Sequence, residues 1–155
     1  MKHYQFQKQS GVSLIEALVA IVVFSIGVLA VAGFYANSIK LASDAKARGD
    51  AAYLANQIIS QMWVDRSNLA SYALYSSVAN VDANCTGLGT AATYASVVTW
   101  LGDENKKGSV RGMLPDAKAQ ILVETGTGAV TVTLCWKAPQ ENETHRFTST
   151  ALISG

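Results

Sequence analysis

The segment VSLIEALVAIVVFSIGVLAVAGFYA, residues 12–36, decides the fold of this chain. Glu16 is its only charged residue, and the twenty residues that follow, 17–36, carry no charge. As an α-helix rising about 1.5 Å per residue, those twenty residues are long enough to cross a hydrocarbon core of about 30 Å. The buried helix of a soluble protein would normally show a polar face, which this segment lacks. The pattern therefore predicts a membrane-spanning helix.

The eleven residues before this segment, MKHYQFQKQSG, form a short polar leader. The leader contains Lys2 and Lys8 and no acidic residue, so the positive-inside rule places it in the cytoplasm and the chain from Lys40 onward outside. A secretory signal would instead place a shorter apolar stretch before its cleavage site. Removal of the leader changes the formal net charge from +1 to −1, and a near-neutral chain gives no indication of nucleic-acid binding.

Glu16 is an ionisable residue at the start of an apolar segment. An ionised carboxylate deep in the bilayer costs on the order of 2–3 kcal/mol. In one interpretation Glu16 lies at the membrane edge and reaches water. In the other, which we favour, it binds a cation. Cleavage after Gly11 would supply that cation as the new α-amino group of Val12 on a neighbouring subunit.

Residues 11–16, GVSLIE, resemble the G-F-[ST]-L-I-E signature of type IV prepilins and pseudopilins. The resemblance implies that a prepilin peptidase cuts after Gly11 and methylates the new N-terminal residue, Val12. It also implies that Glu16 acts in subunit assembly. Val12 occupies the position of the usual phenylalanine, and peptidases of this family accept other apolar residues there.

Residues 13–34 and 55–69 together resemble the PilV-type minor pilins, which are related to the I-type minor pseudopilin of type II secretion. Leu114-Pro115 and Trp136 fit the same outline. The resemblance implies an α+β type IV pilin fold, in which a long N-terminal helix packs on a C-terminal antiparallel β-sheet. The implied partners are the prepilin peptidase, other minor pilins, the major pilin and the inner-membrane assembly machinery. The implied location is the inner membrane with a periplasmic C-terminal domain, and then the pilus fibre at the cell surface.

Four regions are expected along the chain: a leader (1–11), a transmembrane half of the helix (12–39), an amphipathic half (40–68) and a periplasmic globular region (69–155). In the amphipathic half, Asp44 and Arg48 are spaced to form an ion pair. The apolar face predicted there, with Met62 and Trp63 as core residues, consists of Ala45, Ala52, Ala55, Ile58, Ile59, Met62 and Trp63.

The globular region shows strand patterns at 120–125 and 129–136, separated by the glycine-containing turn Gly126–Gly128. Residues 145–153 predict a third strand, and a sheet packed on the long helix is the simplest two-layer arrangement. Residues 76–93 read as an irregular loop, and residues 94–102 as a short helix or strand.

Cys85 and Cys135 are the two cysteines, and an even count in an exported domain predicts a disulfide. It would close a loop of about fifty residues and fix the irregular segment to the edge of the sheet. Two cysteines and a distant His145 are too few ligands for a zinc site, so no metal is expected. His145 is predicted to be a solvated residue.

No catalytic or phosphate-binding motif appears, so we expect neither an enzyme nor a cofactor. The favoured hypothesis is a minor pilin that initiates a type IV pilus or sits at its tip, with motility, adhesion and DNA uptake as functions of the fibre. The alternative within the same class is a minor pseudopilin of type II secretion. An alternative of another class is a single-pass, membrane-anchored binding or sensor domain.

Overall fold

One long helix, α1, runs from Val12 to Val64. The computed structural model describes residues 12–75, 85, 92–139 and 141–153, and the predicted leader lies outside them. Chain contacts divide the protein into two compact units, residues 1–43 and 44–155, and α1 contributes to both. No proline occurs before Pro115, so nothing in this part of the sequence removes a backbone hydrogen bond from the helix.

The first part of α1 exposes its apolar side chains all round. Leu14, Phe24 and Phe34 are each more than 70% exposed, at 79%, 72% and 75%. By length and composition α1 qualifies as a candidate membrane span, since its most apolar 18-residue window has a mean hydropathy of 2.7 and no buried residue. Such a surface is stable in a bilayer or against other apolar helices, and unfavourable in water.

The second part of α1 buries one face in the hydrophobic core. The buried residues follow the i, i+3, i+4, i+7 pattern of an amphipathic helix. They are Ala51, Leu54, Ala55, Ile58, Ile59 and Met62.

Four members of the predicted face are therefore right, and three are wrong. Ala45 is exposed, Ala52 is half-buried and Trp63 is 46% exposed. At about 100° per residue, these three lie roughly 120–140° around the helix from Ile58, the centre of the buried face. The predicted Asp44–Arg48 ion pair is also absent among the described residues, where Lys46 pairs with Asp50 at 3.8 Å instead.

The C-terminal region forms a three-stranded antiparallel sheet in the order β1-β2-β3, which confirms the predicted α+β fold. The strands are β1 (Lys118–Glu124), β2 (Ala129–Trp136) and β3 (His145–Leu152). A four-residue turn joins β1 to β2, and Gly128 closes it with a φ of +71°, which favours glycine. Every second residue of β2 from Val130 to Trp136 is buried against the helical layer.

Short helices complete the core. A 3₁₀ helix, Arg66–Tyr72, follows α1, and Leu74 then forms an isolated antiparallel bridge to Ile121 of β1. The residues predicted as helix or strand near 94–102 form a short helix, α2 (Ala95–Leu101), and a single turn, α3 (Val110–Met113), precedes β1. Trp100 of α2 is buried and donates its indole N–H to the Leu54 carbonyl oxygen at 2.9 Å.

Candidate functional site

The predicted processing and assembly residues lie at the start of α1. Gly11 lies outside the described residues, and Val12 is the first residue of the helix. Glu16 follows one turn later, about 6 Å along the helix axis from Val12. Positions 12 and 16 are four residues apart and therefore lie on the same face of the helix.

Glu16 is exposed, and its carboxylate has no hydrogen-bond or ion-pair partner in the part of the chain that the structure describes. Two serines of α1, Ser25 and Ser38, differ because their hydroxyls donate back to the helix. Ser25 Oγ donates to the Ile21 carbonyl at 2.7 Å, and Ser38 Oγ to the Phe34 carbonyl at 3.0 Å. In an apolar environment those serines would carry no unpaired donor, whereas Glu16 would carry an unpaired charge.

The apolar segment also contains two glycines that its own fold does not require. A Cβ added at Gly27 or Gly33 would meet nothing within 4 Å. Gly27 instead forms the floor of a shallow apolar depression with Phe24, Val28 and Val31. Small residues on a membrane helix allow a second helix to approach closely.

The two cysteines are joined by a disulfide, with their Cα atoms 6.4 Å apart. Both cysteines are buried. A bridge to the edge of the sheet was predicted from the sequence, and this is wrong. Cys135 lies on β2, the central strand, paired in register with Lys118 on one side and Arg146 on the other. Its neighbours Leu134 and Trp136 point into the core, so Cys135 faces the opposite side of the sheet. The disulfide therefore attaches Cys85 to that opposite face.

A second polar cluster lies just beyond the end of α1. Asp65 Oδ2 accepts hydrogen bonds from the hydroxyls of Tyr94 and Tyr72, the latter at 3.2 Å, and Oδ1 accepts one from Asn68 at 2.7 Å. The Tyr94 hydrogen bond, followed by that of Asn68, holds the pKa of Asp65 below its ordinary value. This cluster ties the chain after α1 to the start of α2 and has a structural role.

The turn at residues 103–105 and His145 have different surroundings. The acidic turn at 103–105 is exposed, and Asp103 Oδ1 accepts a hydrogen bond from the Asn105 N–H at 2.9 Å, as in an ordinary surface turn. His145 was predicted to be solvated, and this is wrong. Its side chain is 20% exposed, stacks on Trp136 with ring centroids 5.6 Å apart, and lies 2.5 Å from a carboxylate oxygen of Glu141.

Comparison with protein families finds the prokaryotic N-terminal methylation motif at residues 6–32. The matched residues span Gly11, Val12 and Glu16 together with the apolar segment as far as Ala32. The motif supports a type IV pilin or pseudopilin and implies processing by a prepilin peptidase. Together with the apolar helix it indicates anchoring in a membrane. No curated protein and no solved structure matches the chain.

Proposed function

We propose that the protein is a minor pilin, a non-enzymatic subunit that initiates a type IV pilus or sits at its tip. The observation that carries the proposal is the unpartnered carboxylate of Glu16 on an exposed apolar helix, within the N-terminal methylation motif. This arrangement fits a subunit that moves from a bilayer into a bundle of parallel helices contributed by neighbouring subunits.

Cleavage after Gly11 removes Lys2 and Lys8 and creates an α-amino group on Val12. That group has an ordinary pKa of about 8 and stays cationic when N-methylated, so it can pair with a carboxylate. Its own Glu16 lies one helical turn away. A parallel neighbouring helix displaced by about 6 Å along the axis brings its Val12 amine level with Glu16.

The energetic reason for pairing is the cost of an isolated charge in an apolar environment. An unpaired carboxylate costs on the order of 2–3 kcal/mol in the bilayer, and pairing with the neighbour's amine removes much of that penalty. A subunit in the wrong register leaves both charges unpaired. Glu16 therefore favours one axial position of the incoming subunit, which is a selection of register as well as a source of affinity.

The minor role and the PilV type are supported by resemblance in residues 13–34 and 55–69. In this proposal the globular unit, residues 44–155, faces the periplasm while the subunit is anchored and the cell surroundings once it is in the fibre. The other minor pilins and the major pilin would be its neighbours along the apolar helix.

Two substitutions in the native host test the processing and assembly steps. Gly11→Arg should leave the leader attached, and mass spectrometry of the membrane protein should find residues 1–11 still present and no methyl group. Glu16→Ala should be cleaved and methylated normally but should be missing from sheared fibres. Glu104→Ala, the same substitution in the exposed turn, is the matched control and should enter fibres at the wild-type level.

Normal incorporation of Glu16→Ala would contradict the proposed role of that carboxylate. An uncleaved wild-type N-terminus would instead favour the single-pass binding or sensor domain. Deletion of the gene distinguishes a pilus subunit from the remaining alternative, a pseudopilin of type II secretion. Loss of surface fibres with normal secretion supports the pilus, and loss of secreted enzymes with intact fibres supports the pseudopilin of type II secretion.

A further inference from the structure

Three side chains that are far apart in the sequence meet in the globular unit. Asp44 lies on α1, Glu141 in the connection between β2 and β3, and His145 at the first residue of β3. A carboxylate oxygen from each acid and a ring nitrogen of His145 all lie within 4.8 Å of one another. All three residues are half-buried. About a hundred residues separate Asp44 from the other two.

The fold explains why His145 reaches this position. In β3, Phe147 and Ala151 pack against the hydrophobic core. His145 lies on the same face of the strand, because every second side chain points to the same side. It is paired in register with Trp136, whose ring stacks on the imidazole at 5.6 Å between centroids with an interplanar angle of 19°. The imidazole is therefore held on the helical side of the sheet, in an orientation set by packing.

The carboxylate of Asp44 is available to bind a ligand beside Glu141 and His145. Among the residues that the structure describes, it forms no hydrogen bond and no ion pair, although it faces two other ligand-type groups. Asp50, six residues further along α1, is paired with Lys46. Two carboxylates brought close together in a half-buried position repel each other, and a divalent cation between them would reverse the sign of that interaction.

We propose that Asp44, Glu141 and His145 form a binding site for a divalent transition-metal ion, with Zn²⁺ as the best match. Imidazole nitrogen and carboxylate oxygen are both common zinc ligands, at about 2.0–2.2 Å, whereas Ca²⁺ and Mg²⁺ take oxygen ligands. Water completes the coordination. The site is independent of the proposed role in a pilus.

The ion fits between these side chains with little movement. His145 Nε2 lies 2.5 Å from Glu141 Oε2. Two ligands of a tetrahedral zinc lie roughly 3.3 Å apart, so binding the ion would increase the distance between these two atoms by less than about 1 Å. The bound ion would tie α1 to the β2–β3 connection and stabilise the globular unit.

The test uses the full chain in detergent, purified without a histidine tag and treated with a chelator. Isothermal titration with Zn²⁺ should give one site per chain, with a Kd on the order of 1–10 µM, because three protein ligands bind more weakly than four. A hundredfold excess over that Kd should raise the Tm of the globular unit by about 5–10 °C. Ca²⁺ and Mg²⁺ should bind at least tenfold more weakly than Zn²⁺.

Variants identify the ligands. Asp44→Asn and Glu141→Gln should each weaken Zn²⁺ binding at least tenfold, as should His145→Phe, which keeps an aromatic ring against Trp136. Asp50→Asn, on the same helix but outside the trio, is the matched control and should bind Zn²⁺ like the wild type. Far-UV circular dichroism of each variant without metal checks that the fold is intact.

No saturable Zn²⁺ binding by the folded wild type up to about 1 mM would overturn the proposal. Equal binding by the wild type and by folded Asp44→Asn and His145→Phe would overturn it as well. Tighter binding of Ca²⁺ than of Zn²⁺ would exclude His145 as a ligand.

Discussion

At the residue scale, the Asp65 cluster makes the stability of the globular unit depend on pH at both ends of the range. Its hydrogen bonds lower the pKa of Asp65, with Tyr94 as the largest cause. The same hydrogen bond to Asp65 raises the pKa of Tyr94 to about 12. Burial, more than any other cause, raises the pKa of Tyr72.

The two shifts act in opposite directions along the pH scale. The folded state favours ionised Asp65, so its contribution is complete above the ordinary pKa of 3.8 and is lost as the pH falls below that value. The folded state favours the neutral phenol of Tyr94, so that contribution is complete below a pH of 10.0. It is lost as the pH rises from there through about 12.

Tyr94→Phe should therefore lower the urea midpoint at neutral pH and should abolish part of the decline of stability above a pH of about 10. It should also reduce the acid decline, because Asp65 loses the hydrogen bond that lowers its pKa most. The measurement is the urea midpoint as a function of pH, with Tyr53→Phe as the control because Tyr53 is exposed. Parallel profiles for the wild type and Tyr94→Phe would contradict this account.

At the element scale, α1 is one helix with two different surroundings. Leu54 is fully buried in the core of the globular unit, whereas Leu29 in the first part is 72% exposed. The same substitution at these two positions separates packing from helix formation, since both remove the same atoms from the same helix.

Leu54→Ala should destabilise the globular unit by about 2–5 kcal/mol, because it removes buried contacts and leaves a cavity. Leu29→Ala should change that stability by less than about 0.5 kcal/mol, because the fold places nothing against it. Urea unfolding in detergent, followed by tryptophan fluorescence, measures both. Similar losses for the two variants would mean that α1 does not have two independent halves.

At the scale of the whole molecule, the disulfide joins two residues that are distant in the sequence. Cys85 and Cys135 are 50 residues apart in sequence. They form a small buried cluster of their own, separate from the main core. The constraint therefore acts on the face of the sheet opposite to α1.

Replacing both cysteines by serine should lower the free energy of unfolding by about 2–4 kcal/mol. Reduction of the wild type should have a similar effect, and the two measurements control for each other. Proteolysis should become faster near residue 85 in the reduced protein while the hairpin of β1 and β2 stays protected. Full retention of stability after reduction would show that the bridge adds no constraint.

Much of this architecture follows from local sequence patterns. A charge-free run long enough as a helix to cross the hydrocarbon core predicts a helix whose side chains face lipid or other helices. The β1–β2 hairpin follows from alternation around a glycine turn, and the third strand from the same period. Gly11, Val12 and Glu16 come from a motif that is contiguous in the chain, so no tertiary information is needed to find them.

The tertiary structure decided which residues from different elements meet. Periodicity shows that α1 has a buried face but does not fix its rotation to within one residue, which is why Trp63 was misplaced in the core. Alternation puts Cys135 on one side of β2, but only the strand order shows that β2 is central. Asp44 and His145 meet because α1 crosses the sheet at one register, and a register between distant elements depends on the packing of the whole core.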